Sequence, residues 1–291
     1  MNRYKKLFLI FTCLTALVSL CAACTSLAVT PQQKTITASL AWKGSVFNQL
    51  QSQLSQTLIT RVQAMPDTLL RDTIFSDLSI GISSATQYAT RSPTSEELSL
   101  IETYFTLLPA AHKKVMTKKL LAVFLVNDFA GAGYTDWVQD EDGDVYYYLI
   151  LNTSLFEKSI DEWLSYKENS VFDQPLSRLS IQLTTGTQYR ALLYALLHEG
   201  AHLVDYEYAV TPLIDTTFNQ LTKRQQGNTA FVDEVWESQY QPLDRFDFDY
   251  REQLNVYGIF SARGQIARQQ ISSMFKQLSK TPLSSFYGGS N

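Results

Sequence analysis

The residues best suited to chemistry lie in the apolar stretch LLYALLHEGAHLVDY, residues 192–206. His198 and His202 are four residues apart, so on a helix they project from one face, one turn above the other. Two imidazoles at that spacing can bind one zinc ion, and Glu199 reaches a metal-bound water rather than the metal. The pattern H-E-x-x-H therefore predicts a zinc centre in which Glu199 is the catalytic proton acceptor.

The residues around this motif are uncharged at positions 195–197, 200–201 and 203–204. The alternative to a metal centre is a core helix whose histidines are hydrogen-bonded to neighbouring groups. That helix would bury the carboxylate of Glu199 with no cation to compensate it, and burying an unpaired carboxylate is costly. Metal binding is the interpretation that the composition of the stretch favours.

A catalytic zinc site usually has three protein ligands and a water molecule, so a third ligand is needed. Glu234 and Glu237 are weak candidates some tens of residues downstream, the alternative being a solvated helix face. Asp205 shares the helix face of the histidines and is more suited to orienting an imidazole than to binding the metal. His112 lies in AAHKKVMTKK, which is typical of a solvated helical face, so we expect a surface residue there.

The segments HEGAHLVD and SSFYGGSN together resemble the lethal-factor-like gluzincin metallopeptidases, over about 100 residues. In that family an H-E-x-x-H-x-x-D helix is followed by Y-x-x-x-N-x-x-E, whose glutamate completes the zinc site. Tyr287 and Asn291 match the Tyr and Asn of the second pattern, whereas a simple Gly-rich turn is the alternative for YGGSN. The matching glutamate would fall three residues after Asn291, so the resemblance implies a shortened sequence or a metal site that has been lost or rebuilt.

This resemblance implies a zincin-like catalytic domain, a Zn²⁺ cofactor and Tyr287 as the donor to a tetrahedral oxyanion. The expected fold class is α+β, mostly helical, with a small sheet packed beside the active-site helix. The strand within AVFLVN, residues 122–127, is expected to be an edge strand that binds an extended peptide substrate.

The first residues, MNRYKKLFLIFTCLTALVSLCAACTS, have a basic start, an apolar run from Leu7 to Leu20 and then small residues. The run is short for a membrane span. The segment resembles a bacterial lipoprotein signal peptide in which LCAAC is the lipobox and Cys24 is lipidated. This implies a lipid anchor in the cell envelope, and Thr25 favours the outer membrane if the host has one. An ordinary secreted protein or an uncleaved anchor is the alternative.

Composition limits the remaining classes of function. A chain of 291 residues with 45% hydrophobic content can bury a full core. The formal charge of −4 becomes about −7 when the basic start is removed, so nucleic acid is not an expected partner. Cys13 and Cys21 precede the proposed cleavage point, so no zinc or nucleophile chemistry can rest on cysteine in the mature chain.

The order of predicted elements suggests four parts. These are a signal peptide over 1–23, a flexible tether over 24–44, a helical N-terminal subdomain over 45–119 and the zincin-like domain over 120–291.

Local patterns predict the elements within these parts. Apolar periodicity predicts a helix over 45–64, and Thr94 or Ser95 can cap a second helix that ends before Pro109. A strand is expected over 122–126, and the run DEDGD predicts a hairpin turn rather than a calcium loop, leading into a strand over 146–151. Helices are also expected over 154–168, 187–206, 229–240, 249–260 and 265–280.

The function that these patterns predict is a lipid-anchored zinc endopeptidase acting on proteins or peptides in the cell envelope. One alternative is a non-catalytic lipoprotein that keeps the fold as a binding or scaffolding module. The other is a hydrolase of non-peptide amides.

Overall fold

The structure is a computed structural model that describes residues 31–79, 81–170, 180, 182–210, 236–238 and 241–242. The chain divides into two units, residues 1–42 and residues 43–291. Residues 1–23, predicted to be a signal peptide, and Cys24, predicted to be lipidated, lie outside the described residues. Of the helices that are described, none combines the length and the apolar character needed to cross a bilayer.

A small mixed sheet lies within the described part of residues 43–291. Its strands are β1 (Val62–Ala64), β2 (Ala89–Thr90), β3 (Leu120–Asn127), β4 (Gly133–Gln139) and β5 (Val145–Asn152). They are arranged in the order β1-β3-β5-β4, with β1, β3 and β5 parallel and β4 antiparallel to β5. The short β2 pairs antiparallel with the last two residues of β3. Strands β3 and β5 are buried along most of their length, as expected for near-continuous apolar runs covered on both faces.

Six α-helices are described besides these strands. They are α1 (Pro31–Leu50), α2 (Asp67–Ser79), α3 (Ser95–Leu107), α4 (Ala110–Lys119), α5 (Ile160–Ser170) and α6 (Ala191–Tyr208). Short 3₁₀ helices span Gln51–Ser55, Ile59–Arg61, Ser83–Gln87 and Thr153–Phe156, and a separate hairpin pairs β6 (Trp236–Ser238) with β7 (Gln241–Pro242). Helix α6 contacts α3, α4, α5, β4 and β5, so it lies at the centre of the packing. The chain is therefore a mixed α/β protein of the α+β class.

Several predictions from local pattern are confirmed. Helix α3 is capped by Thr94, whose side chain accepts a hydrogen bond from the Glu97 amide, while Glu97 bonds back to the Thr94 amide. The DEDGD run forms the hairpin turn between β4 and β5, and Gly143 adopts the positive φ of 86° that such a turn requires. The cap and the turn could be predicted from the sequence because the residues that interact in each are neighbours in the chain.

The helix predicted over residues 45–64 is wrong in its second half. Helix α1 ends at Leu50, and Val62–Ala64 instead form β1, paired with Val123–Leu125 of β3. Pairing with a buried strand far along the chain prevails over the helical periodicity. Residues 31–44, expected to be a flexible tether, are also helical.

The division expected at residue 119 is not a domain boundary. Both β1 and β2 come from the segment before it, and both pair with β3, which follows it. Residues 43–291 accordingly form a single unit.

The predicted edge strand is also wrong. Strand β3 has β5 on one side and β1 and β2 on the other, so its backbone is already paired along both edges. Within the part of the sheet that is described, β4 pairs only with β5 and is an edge strand. An extended substrate could add to β4 but not to β3.

Three predicted helices differ at their ends or in type. The helix predicted over 154–168 begins at Ile160, as α5, after the 3₁₀ helix Thr153–Phe156. Helix α6 begins at Ala191 rather than near Thr187, and Arg190 occupies its N-cap without a side-chain cap. The helix predicted over 229–240 is contradicted at Trp236–Ser238, which form β6 because they pair with the tight hairpin partner β7. The helices predicted over 249–260 and 265–280 lie outside the described residues.

Candidate metal centre

Helix α6 carries the H-E-x-x-H motif and is held in place by its apolar side. The fully or almost fully buried apolar residues of the helix are Ala191, Leu192, Leu193, Ala195, Leu196 and Leu203. They flank the motif on both sides in sequence. Burial of these side chains fixes the rotation of the helix about its axis, and so determines which way the motif faces.

The two imidazoles lie side by side. The ring centroids of His198 and His202 are 5.0 Å apart and the ring planes are nearly perpendicular, at 87°. Two imidazole nitrogens that each lie about 2.0–2.1 Å from one tetrahedral zinc ion place the ring centres about 5 Å apart. The observed separation is therefore compatible with both rings binding a single zinc ion.

The protonation state of His202 suits a metal ligand. Burial lowers the pKa of His202, the charge of His198 lowers it further, and Asp205 acts in the opposite direction. A lowered pKa favours the neutral imidazole, which is the form that binds metal. Asp205 is close enough to His202 for its charge to raise the pKa of that ring. A hydrogen bond by which Asp205 orients the ring stays a prediction.

Glu199 is buried between the helix and the sheet. Its side chain is only 4% exposed, and the Thr135 hydroxyl donates a hydrogen bond of 2.7 Å to Glu199 Oε2. Burial raises the pKa of the Glu199 carboxyl to about 7, although the bond from Thr135 lowers it in part. A carboxyl whose pKa lies near neutrality is matched to accepting and returning a proton at ordinary pH.

Strand β4 is shaped to receive Glu199. Gly133 and Thr135 are two residues apart, so they lie on the same face of β4. A Cβ atom at Gly133 would lie 2.7 Å from the Ile150 carbonyl oxygen and 3.2 Å from Glu199 Cγ. Only glycine fits at that point without displacing the backbone of β5 or the glutamate.

Gly200, in the variable part of the motif, lets α4 approach α6 closely. A Cβ atom there would clash with the His112 ring and would lie 3.0 Å from Met116 Cε. His112 Nε2 is 3.2 Å from the Leu197 carbonyl oxygen, within hydrogen-bonding distance. The prediction that His112 is a surface residue is therefore wrong, because its half-buried ring packs against α6.

We expect Gly200→Ala to lower the free energy of unfolding by about 1–2 kcal/mol. Overpacking costs about 1–3 kcal/mol, and it exceeds the gain of about 0.5–1 kcal/mol from placing alanine instead of glycine in a helix. Urea unfolding of the two proteins measures the difference. The double variant with His112→Ala should recover part of the loss, and a Gly200→Ala protein as stable as the wild type would contradict the packing argument.

Two tyrosines beside the histidines were missed by sequence reasoning. Tyr194 stacks on His198 with centroids 5.8 Å apart, and Tyr206 lies 6.2 Å from His202. With the histidines they form a row at four-residue spacing along one face of α6, and that spacing is the signal that could have identified them. The flanking rings restrict the rotation of the imidazoles.

A third ligand is not supplied by the part of the chain that the structure describes. Within the described ranges, no group of three or more His, Cys, Asp or Glu side chains converges as a metal site would require. Glu234 and Tyr287 lie outside the described residues. Glu237 is on β6 rather than on the predicted helix, and the position of its side chain is not described.

Comparisons of the chain with protein-family models, with curated proteins and with solved structures gave no match. The function is therefore argued from the geometry of the chain's own residues.

Proposed function

We propose that this chain is a zinc-dependent metalloendopeptidase of zincin-like fold that is lipid-anchored in the cell envelope through Cys24. The observation that carries the proposal is the pair of imidazoles on one face of α6, with ring centroids 5.0 Å apart, together with the burial of Glu199, which follows His198 in the same helix. The antiparallel edge strand β4 lies against this helix, which supports the zincin-like arrangement.

The chemistry of these residues fits a zinc ion. His198 and His202 offer two nitrogen ligands on one face, and a catalytic zinc site needs one more protein ligand and a water molecule. Glu234 and Glu237 remain the candidates for that ligand. When bound, zinc lowers the pKa of a coordinated water molecule and polarises a carbonyl group.

Glu199 is proposed to move the proton that peptide hydrolysis requires. It accepts a proton from the attacking water and passes it to the nitrogen of the departing amine, so that one water molecule is consumed for each bond cleaved. Its burial keeps bulk water from competing for this proton. Tyr287 is proposed as the donor to the oxyanion, on the resemblance alone.

The substrate is proposed to lie along β4. An extended peptide can add to an edge strand through main-chain hydrogen bonds, which requires little of the peptide sequence. Thr135 of β4 contacts Glu199, so a peptide on this edge would lie next to the proton acceptor. Tyr134, which is 51% exposed on the opposite face of β4, offers an additional apolar surface at this edge.

The test is the metal content of the full-length chain purified in mild detergent. We expect about one zinc per chain by elemental analysis. His202→Ala should weaken zinc binding by more than about 100-fold, because loss of a direct metal ligand costs more than loss of a group that only hydrogen-bonds to a ligand. Hydrolysis of labelled casein should fall with it. His112→Ala is the matched histidine control and should keep the metal. A wild-type chain without zinc, or full zinc in His202→Ala, would refute the proposal.

The second candidate is a non-catalytic zincin-fold lipoprotein that acts as a binding or scaffolding module. The observation that favours it is that no third ligand converges on the histidines within the described ranges. Such a protein would fold without zinc and would not hydrolyse casein after zinc is added. A peptidase would hydrolyse casein once about one equivalent of zinc per chain is added.

A further inference from the structure

The hydroxyl of Thr135, on β4, is buried against Glu199 of α6. Thr135 is 8% exposed, and its Oγ1 lies 2.7 Å from Glu199 Oε2 and 3.3 Å from the Glu199 carbonyl oxygen. Among the described residues, hydrogen bonds to this carboxylate come from Thr135 alone. The contact joins β4 to α6 across 64 positions of sequence.

The hydroxyl is held rigidly by the sheet. Thr135 pairs with Leu149 of β5, and Leu149 is completely buried in the core. Threonine is branched at Cβ, so few rotamers are open to it in a strand. The hydrogen-bond donor is therefore positioned before any substrate or metal binds.

We infer that Thr135 is a positioning residue that orients the Glu199 carboxylate for proton transfer, an inference that rests on the proposed peptidase function. The Thr135 proton engages Oε2. The other oxygen, Oε1, is thereby left to take the proton of the attacking water. A carboxylate without this contact could rotate about its side-chain bonds and would present its oxygens in several orientations.

The same hydroxyl can keep the contact throughout a catalytic cycle. When Glu199 is a carboxylate, Thr135 donates to Oε2. When Glu199 carries the proton on Oε1, its Oε2 is a carbonyl oxygen that can still accept the hydrogen bond from Thr135 Oγ1. The glutamate is then held in the same place before and after it receives the proton.

The test compares Thr135→Val with Thr135→Ser in the full-length, zinc-loaded chain. Valine has the shape of threonine but no hydroxyl, so kcat for labelled casein should fall by about 10–100-fold with KM within about twofold. Serine keeps the hydroxyl and should retain activity to within about threefold. Zinc content should equal that of the wild type in both variants, which separates positioning from loss of the site.

A second measurement does not depend on activity. Unfolding of the zinc-free chain is measured for Thr135→Val, Glu199→Leu and the double variant. If the two side chains interact as described, the changes in the unfolding equilibrium constant are non-additive by about threefold or more. The double variant should be more stable than the two single changes imply, since Thr135→Val alone leaves the buried carboxyl without its partner.

Each outcome bears on one of the two proposals. The positioning role is overturned if the effects of the two substitutions on unfolding are additive, or if Thr135→Val keeps full kcat while the wild type is active. Either result leaves the peptidase function standing. A wild type that binds zinc but does not hydrolyse casein overturns the peptidase function, and the positioning role with it. That failure is seen in the wild type, before any variant is compared.

Discussion

Replacement of Glu199 by glutamine is expected to lower kcat for casein hydrolysis by about 10²–10⁴-fold, the range that a positioned proton acceptor contributes. Glutamine has the shape of glutamate and can still accept the hydrogen bond from Thr135, but it cannot take a proton from water. The zinc ligands are unchanged, so the variant should keep about one zinc per chain. Steady-state kinetics and elemental analysis of the same preparation measure both effects.

The matched control is Glu207→Gln, which removes a carboxylate from an exposed position on the same helix. It should leave both kcat and zinc content at wild-type values. Undiminished cleavage by Glu199→Gln would refute its role as proton acceptor. Loss of zinc from that variant would instead make Glu199 a metal ligand.

The two histidines and Glu199 could be predicted from sequence because their relationship is local. The four-residue spacing places His198 and His202 on one helix face wherever that helix lies in the fold. The capping box at Thr94 and the hairpin at Gly143 are local in the same sense, since each involves residues within a few positions of one another.

Thr135 could not be predicted, because its partner is far along the chain. Its contact with Glu199 depends on the register of β4 against β5 and on the packing of α6 against β4. No residue near position 135 indicates either this register or this packing. The assignment of Val62–Ala64 to a helix failed for the same reason, since only the pairing with β3 makes that segment a strand.

The edge strand could have been predicted better from the same residues. LLAVFLVN is apolar throughout, which is typical of a strand buried on both faces in the middle of a sheet. GYTDWVQ mixes polar and apolar residues, which is typical of a strand that is not buried on both faces.

The zinc-free protein should become less stable as pH rises from about 5 to 8, and Glu199 should account for much of the loss. Burial raises the pKa of Glu199 from its usual 4.5 to about 7. Below about pH 4.5 the carboxyl is protonated in both the folded and the unfolded chain, so nothing is lost. Between 4.5 and 7 the unfolded chain ionises first, and the free energy of unfolding falls. Above about 7 both states are ionised and the loss is complete, at about 3 kcal/mol.

Glu199→Gln should therefore gain stability relative to the wild type as pH rises, by up to about 3 kcal/mol between pH 5 and pH 8 in chelator. His202 acts in the opposite direction, because burial lowers its pKa and folding then favours the neutral ring at higher pH. This contribution is present in both proteins, so the difference between their urea unfolding curves isolates Glu199. If the difference in free energy of unfolding between the two proteins does not change over this pH range, the Glu199 carboxyl ionises at its usual pKa. Burial would then not raise its affinity for a proton.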